Sequence, residues 1–414
     1  MRLAIIITLL TAASVHAWAQ SDWIWNQYLY SGDTNLSRGG IWCHAEYGIQ
    51  TNTLSNKLMN EAIYQGRINS ATSDAVVDLN SADYTRLSAG TNGAIWYRTA
   101  RPNAWRFLFG LGYNDHAIGL MKNGVAQLYL KGNGPFEDQK MELGPSEITY
   151  HSYQFAGLGI EHGKQNVTWG ITAQLIKSSR YTHLKLGESS LYTAPYGTAV
   201  ESSLNFRYDA SASEQAKLSA WYGTGYSLNA YYVYKASEKA PMICVELRDA
   251  GQIFYQGVRR LRLNDSLNFY GVGVNNILQL DDSLVSGENL DSIEALLGLQ
   301  QSHPKLTTWL PAHFNIHFIQ PLSEKVRLEI GLKQYVSMGI PEVAVGIAFQ
   351  PKPWISFEPR IRFGGFTRFD VGLNAFLQAG QHLQIILKSE QFENLIAPDK
   401  STSQYLFFGG QVSF

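Results

Sequence analysis

Charge is scarce in this sequence of 414 residues: 16% are Asp, Glu, Lys or Arg, against about 25% in an ordinary globular chain. The formal net charge is -1. No basic surplus exists to meet phosphates, so nucleic acid is excluded as a partner. There are only two cysteines, Cys43 and Cys244, which rules out a disulfide-stapled scaffold. They lie far apart, and a disulfide outside the cytoplasm fits them as well as two free thiols do. Long apolar runs are missing too: nowhere after the first twenty residues do about 18 apolar residues follow one another, as a membrane helix requires. A mean hydropathy of -0.16 excludes a polytopic helical membrane protein. It does not exclude a membrane β-barrel, whose strands hide their apolar residues in alternation. What the chain has in plenty is aromatic (13%) and apolar (45%) residues, enough to bury a large core and to argue against disorder.

The N-terminus has three parts. Met1-Arg2 is a short positive start, Leu3 to Val15 is apolar, and Ala17-Trp18-Ala19 puts small residues at Ala17 and Ala19, the positions a signal peptidase reads. The pattern predicts a signal peptide over 1–19 and an exported mature chain from Gln20. The apolar run falls short of the roughly 20 residues of a spanning anchor. No Cys follows the cleavage site, so a lipid anchor is not indicated.

Beyond it the side chains alternate with period two, the mark of strands with one apolar and one polar face. Val167, Trp169, Ile171, Ala173 and Leu175 are one such series; Leu204, Phe206 and Tyr208 are another; Phe314, Ile316 and Phe318 a third. Val326, Leu328, Ile330 and Leu332 follow, then Phe369, Val371, Leu373, Ala375 and Leu377. Either a soluble sandwich buries the apolar faces or a membrane barrel turns them to lipid. Four features favour the barrel. The polar faces are rich in Gly, Ser, Thr, Asn and Gln with few Lys. Aromatics sit near strand ends, at Trp221-Tyr222, Tyr231-Tyr232, Trp354 and Tyr405, where interfacial girdles belong. Several runs reach about 9 to 11 residues, the length of a tilted membrane strand. The most specific feature is the ending, in which Leu406, Phe408, Gly410, Val412 and the final Phe414 alternate. It resembles the signal read by the bacterial barrel-assembly machinery.

The expected fold is therefore all-β: an antiparallel transmembrane barrel of about 14 strands, within 12 to 16, formed as one domain over 20–414. Three stretches depart from the pattern. Residues 51–88 are polar with a helix-like piece near Lys57 to Ile63, and read as a loop or a plug. Lys131 to Thr149 reads as a loop on its Gly and Pro content. Ser283 to Gln301 holds a short amphipathic helix, with Leu290, Ile293, Leu296 and Leu297 on one side and Glu288, Asp291 and Glu294 enriching its first half.

Signals of chemistry are few. No HExxH, GxSxG, P-loop or dinucleotide fingerprint occurs. His313 and His317 share a strand face four residues apart, a spacing commoner among structural histidines than metal ligands. No catalytic, cofactor or metal residue is assigned, and an enzyme is not expected. Glu358, Arg360 and Arg362 share a face, and Arg327, Glu329 and Lys333 do so on what reads as a neighbouring strand. In a barrel these belong in the lumen, since charge is costly on the lipid face. A structural ion-pair network is favoured over a path selecting polar or anionic solutes.

A series of short motifs spans roughly 150–414: Gly225-Tyr226-Ser227-Leu228-Asn229-Ala230-Tyr231, Val245-Glu246-Leu247-Arg248-Asp249-Ala250-Gly251, Phe254-Tyr255, Leu296-Leu297-Gly298-Leu299, Thr308-Trp309-Leu310-Pro311-Ala312, Pro321-Leu322-Ser323-Glu324-Lys325 and Asn394-Leu395-Ile396-Ala397-Pro398-Asp399-Lys400. In this order they resemble a Bacteroidota outer-membrane barrel family of unknown function, distantly similar to barrels of the fatty-acid-transporter and PorV types. The resemblance implies a barrel of about 14 strands integral to a bacterial outer membrane, with membrane lipid and the assembly machinery as its partners. The expected function is a channel or carrier for small, possibly hydrophobic, molecules, by side opening to lipid as in the distant relatives. The alternative is a non-enzymatic barrel that anchors or shuttles partners of a secretion or surface-attachment system.

Overall fold

The computed structural model describes residues 39–61, 65, 68–78, 83–100, 105–164, 166–211, 219–237, 239–269, 299–336, 341–380, 382–396 and 401–414. The expected signal peptide with Ala17 and Ala19, and the helix expected within Ser283 to Gln301, lie outside them.

Among the described residues twenty strands run in chain order. The first ten are β1 (Gly40–Thr51), β2 (Tyr84–Arg98), β3 (Arg106–Lys122), β4 (Lys140–Glu142), β5 (Ser146–Lys164), β6 (Val167–Leu186), β7 (Ser190–Thr193), β8 (Val200–Ser211), β9 (Gly223–Lys235) and β10 (Met242–Tyr255). The rest are β11 (Val258–Phe269), β12 (Gln300–Ser302), β13 (Leu306–Trp309), β14 (His313–Pro321), β15 (Val326–Tyr335), β16 (Pro341–Lys352), β17 (Ile355–Gly364), β18 (Phe369–Ala379), β19 (Leu383–Ser389) and β20 (Ser403–Ser413). Among the described residues four short α-helices accompany them: α1 (Asn56–Asn60), α2 (Ser70–Asp78), α3 (Asn123–Lys131) and α4 (Glu393–Ile396).

Some strands continue one another. β6 pairs with β9 along its first part and with β8 along its last, so β8 and β9 form one line down the wall. β10 and β11 form another, and β12, β13 and β14 a third. With these joined, the wall is a closed antiparallel barrel of 14 strands, sealed where β1 meets β20, Gly40 opposite Ser413. At the end that carries Gly40 and Ser413 the connections are mostly short turns, such as 322–325 and 353–354. At the other end three are long, 52–83, 123–139 and 270–299, while 336–340 and 365–368 are short. This is the asymmetry of membrane barrels, with short turns on one side and long loops on the other. The wall is uneven in height, since β6 has 20 residues and β19 has 7. Lys131 to Thr149 differs from the loop expected there: β4 lies within it, and β5 begins at Ser146.

Burial is inverted relative to a soluble fold. Leu175 is 73% exposed while Glu358 is 0% exposed. Strand alternation explains it: Phe109, Leu111, Leu158, Ile171 and Phe408 point outwards, and their neighbours fill the interior. A continuous apolar exterior of this size requires a nonaqueous surrounding. The Leu158→Arg substitution, in the middle of that band, is expected to destabilise the barrel by about 2–4 kcal/mol, read as a lower urea midpoint after refolding into lipid. Leu158→Val should change the midpoint far less.

The aromatic girdles need one correction. Trp221, Tyr232 and Trp354 lie outside, but Tyr231 and Tyr405 point into the lumen and are buried, and Tyr222 packs on an interior cluster. Consecutive strand residues face opposite ways, so Tyr231 and Tyr232 cannot both meet the interface. Trp105 and Trp169, in edge contact at 5.3 Å, belong to the girdle of the short-turn end.

The described part of 51–88 holds α1 and α2. Leu58 and Met59 of α1 pack on Ile49, Ala89, Ala117 and Tyr150, wall residues that point away from the lumen by alternation. Ser55 caps α1 by accepting from the Leu58 N–H. Glu61 accepts from the Asn69 backbone N–H and from Thr72; the first of these bonds, above all, holds its carboxyl below the usual carboxylate range. Ser73 of α2 donates to the Leu130 carbonyl of α3. These helices thus cover the outer face of the tall wall above the apolar band.

Candidate functional site: the lumen and a break in its wall

The lumen has two unlike halves. Over β1, β2, β3 and β5 it is lined by aromatics. Trp42 and Trp96 sit directly opposite on adjacent strands and stack at 6.3 Å with their planes 9° apart. Trp96 then meets Phe155 at 6.1 Å. The rings can lie flat because the next inward positions have no side chain. A Cβ at Gly110 or Gly157 would collide with Trp96, and one at Gly112 with Phe155. Higher up, Tyr181 and Tyr255 stack at 4.9 Å, and the Tyr255 hydroxyl lies 2.9 Å from Ser178.

The other half, over β14 to β19, carries charge. Arg360 donates to Glu358 at 2.7 Å and lies 3.3 Å from Glu329, which is bonded to His317 at 2.9 Å. Arg362 bonds Glu390 at 2.5 Å and Asp370 at 2.9 Å, with Glu342 at 3.3 Å. Arg327 donates to Gln350 at 2.8 Å, and Lys333 lies over the Tyr335 ring at 5.2 Å. The six charges singled out in the sequence therefore all belong to the inner side, but their strands are not neighbours. β16 lies between β15 and β17. Glu329 and Arg360 still meet because the inward positions of β16 there are Ala344, Gly346 and Ala348, which leave the space above the strand open.

At the short-turn end Glu161 centres a second ionic cluster, beside the aromatic half. Arg106 reaches it at 2.8 Å and Arg98 at 3.7 Å, and the Tyr231 hydroxyl donates to it. All four are buried. His313 faces inward against Tyr335 at 5.5 Å. Among the described residues no group of three or more His, Cys, Asp and Glu is arranged to hold a metal ion. Cys43 is exposed on the outer face and Cys244 is buried on the inner one; both are free thiols.

Between the aromatic half and β10 lies a cavity of 40 Å³, room for about one to three waters. Trp96 and Phe155 form one side, Asn92 and Asn114 another, and Arg248 and Asp249 close it against β10. There the wall is broken. The β9–β10 ladder carries a bulge between Leu247 and Ala250, and Asp249 has φ 51°, a left-handed conformation that costs a residue with a side chain of order 1–3 kcal/mol. On the other flank, β10 pairs with β14 as far as Arg248 opposite His313. Pairing resumes with β13 at Gln252 opposite Trp309. Asp249 to Gly251 therefore face Leu310, Pro311 and Ala312 outside the regular ladder, with one Leu310 N–H bond to the Gly251 carbonyl at 3.0 Å. Pro311 has no N–H to offer. Sequence reasoning quoted both segments as motifs and missed that they adjoin; Pro311 inside a strand-like run was the available signal.

Leu406, Phe408 and Val412 are exposed on the outer face of β20, with Gly410 in the same series, and Phe414 just past its end is exposed too. The chain is thus a transmembrane β-barrel of the outer-membrane kind, closed through its last strand. No protein-family model matches it, and no curated protein matches it. Among solved structures, it is similar to the Pseudomonas putida toluene transporter TodX at 8% identity, covering 93% of this chain and 91% of that one, with a TM-score of 0.45. A Pseudomonas aeruginosa FadL homologue is 10% identical, with 93% of each chain covered and a TM-score of 0.40. The Ralstonia pickettii toluene transporter TbuX is 7% identical, with 94% and 92% covered and a TM-score of 0.42. Likeness at this level assigns no cargo to this chain.

Proposed function

We propose that the protein carries small, largely apolar molecules across the outer membrane, taking them in at the long-loop end and releasing them sideways through the wall beside Asp249. One observation carries this reading: the interrupted ladder at 249–251 and 310–312 backs directly onto the cavity. Through a regularly paired stretch of wall a passage would have to break several hydrogen bonds at once; here the ladder is already open. The aromatic half offers flat apolar surface to a cargo. The packed lumen and the Glu161 cluster oppose a free aqueous path to the short-turn end. Transport then consists of side-chain rearrangement around the cavity, because 40 Å³ is too small for any such cargo at rest.

The test is uptake of radiolabelled toluene and octane by cells that carry or lack the gene, together with planar-bilayer recording of the purified protein. Faster uptake of at least one probe, with no steady ion conductance, is the expected result. Equal uptake in both strains for a broad set of apolar probes, or a large constant conductance, would defeat the proposal.

A further inference from the structure

The tall side of the wall carries a row of like charges that the carrier reading does not use. β6, β8 and β11 lie side by side there. Lys185 is directly opposite Arg207, and Arg207 is directly opposite Arg262. Opposed residues on adjacent strands share a face with their Cβ atoms about 5 Å apart, and like charges so placed repel. One row closer to the bilayer, His183, Asp209 and Arg260 are opposed in the same way. Asp209 accepts from the Arg207 Nε at 2.8 Å and from Arg260 at 2.5 and 2.9 Å. Glu147 lies 3.4 Å from Lys185 and 2.9 Å from His183. Among the described residues four cationic side chains thus share two carboxylates, with His183 between them, and two positive charges are left over. Arg262 is exposed and the Lys185 side chain is half exposed, so a ligand can reach them.

We propose that this row binds a doubly charged oxyanion, specifically a phosphate group. A phosphate dianion matches the two remaining charges. Its oxygens can accept from two guanidinium edges and an ammonium at once. The Asp209 bonds hold Arg207 and Arg260 in place beforehand, which lowers the ordering cost of binding. By alternation with Tyr181 and Val258, which pack in the interior, the row is on the lumen face beyond the apolar band, so a dissolved phosphate compound comes to it from the long-loop end and a lipid phosphate only over the rim. The site is separate from the wall break, so its failure would leave the carrier reading standing.

The experiment uses the full chain in nanodiscs. Inorganic phosphate is titrated calorimetrically, and in a second arm the discs hold phosphatidylcholine with or without phosphatidic acid. The expected result is one saturable phosphate site, weakened about tenfold or more by Arg262→Gln and by Lys185→Gln, and weakened by salt. Arg259→Gln, exposed on the opposite face of β11, should leave it unchanged. If dissolved phosphate does not bind but phosphatidic acid raises the melting temperature of the native chain and not of Arg262→Gln, the phosphate is a lipid's. Binding in neither arm overturns the proposal, as does an equal loss in Arg259→Gln. The segment joining β11 to β12 contains Asp281, Asp282, Glu288, Asp291 and Glu294 and no Lys or Arg. If phosphate binds only after these are changed to amides, the chain supplies its own counter-charge and the proposal falls.

Discussion

Deleting Asp249 is expected to lower uptake of apolar probes at least about tenfold while leaving a folded barrel of higher melting temperature. Asp249 is the extra residue of the β10 bulge. Without it Leu247 still points outwards, Arg248 inwards and Ala250 outwards, so the β9–β10 ladder can close without turning any other side chain over. The strain of its left-handed backbone, of order 1–3 kcal/mol, disappears with it. The deletion also removes a carboxylate, so the controlling variant is Asp249→Gly. Glycine adopts φ 51° freely, keeps the bulge and lacks the charge. If wall geometry governs release, Asp249→Gly transports and the deletion does not. Equal loss in both would assign the effect to the carboxylate, and unimpaired transport in the deletion would exclude this part of the wall as the exit.

The second large effect is expected at Arg362. Its guanidinium, buried on the inner side, sits among Glu342, Asp370 and Glu390. The Arg362→Leu substitution leaves three carboxylates in a poorly hydrated interior with their shared partner gone. Breaking a buried pair in this way costs about 3–5 kcal/mol. A marked drop in the urea midpoint should therefore follow. Replacing Glu390 by Leu in the same chain should restore part of the loss, because one of the stranded charges goes with it. A network that merely decorated a watery channel would behave otherwise: each single substitution would shift the midpoint by less than about 1 kcal/mol, and the double variant would be additive.

Much of the architecture could be read from the sequence because a barrel writes its two environments into alternate residues. Val326 to Lys333 show this: the apolar series and the charged series separate cleanly, and the structure puts Glu329 inside and Ile330 outside. Inward placement of Arg360 and Arg362 followed from the cost of charge in lipid. Three things were not legible. Which strands adjoin is a matter of the whole ring, so the β16 strand between β15 and β17 could not be seen, nor the small side chains of β16 that let Glu329 reach Arg360. Girdle aromatics were read as pairs, and alternation splits pairs, as Tyr231 and Tyr232 show. The break beside Asp249 depends on two segments about sixty residues apart meeting at one height, and no local pattern in either segment encodes that meeting.

The unequal height of the wall makes the molecule one-sided as seen from its long-loop end. At about 3.3 Å per residue, β6 runs about 66 Å along its length and β19 about 23 Å. Antibodies, phages and impermeant labels approaching the surface would meet a single upright blade formed by β5, β6, β8 and β11. The opposite rim would lie low against the lipid and be shaded by whatever stands on the membrane beside it. Recognition from outside would be confined to one azimuth of the barrel, and sequence drift under such pressure would be expected to gather on that blade while the low rim stays quiet.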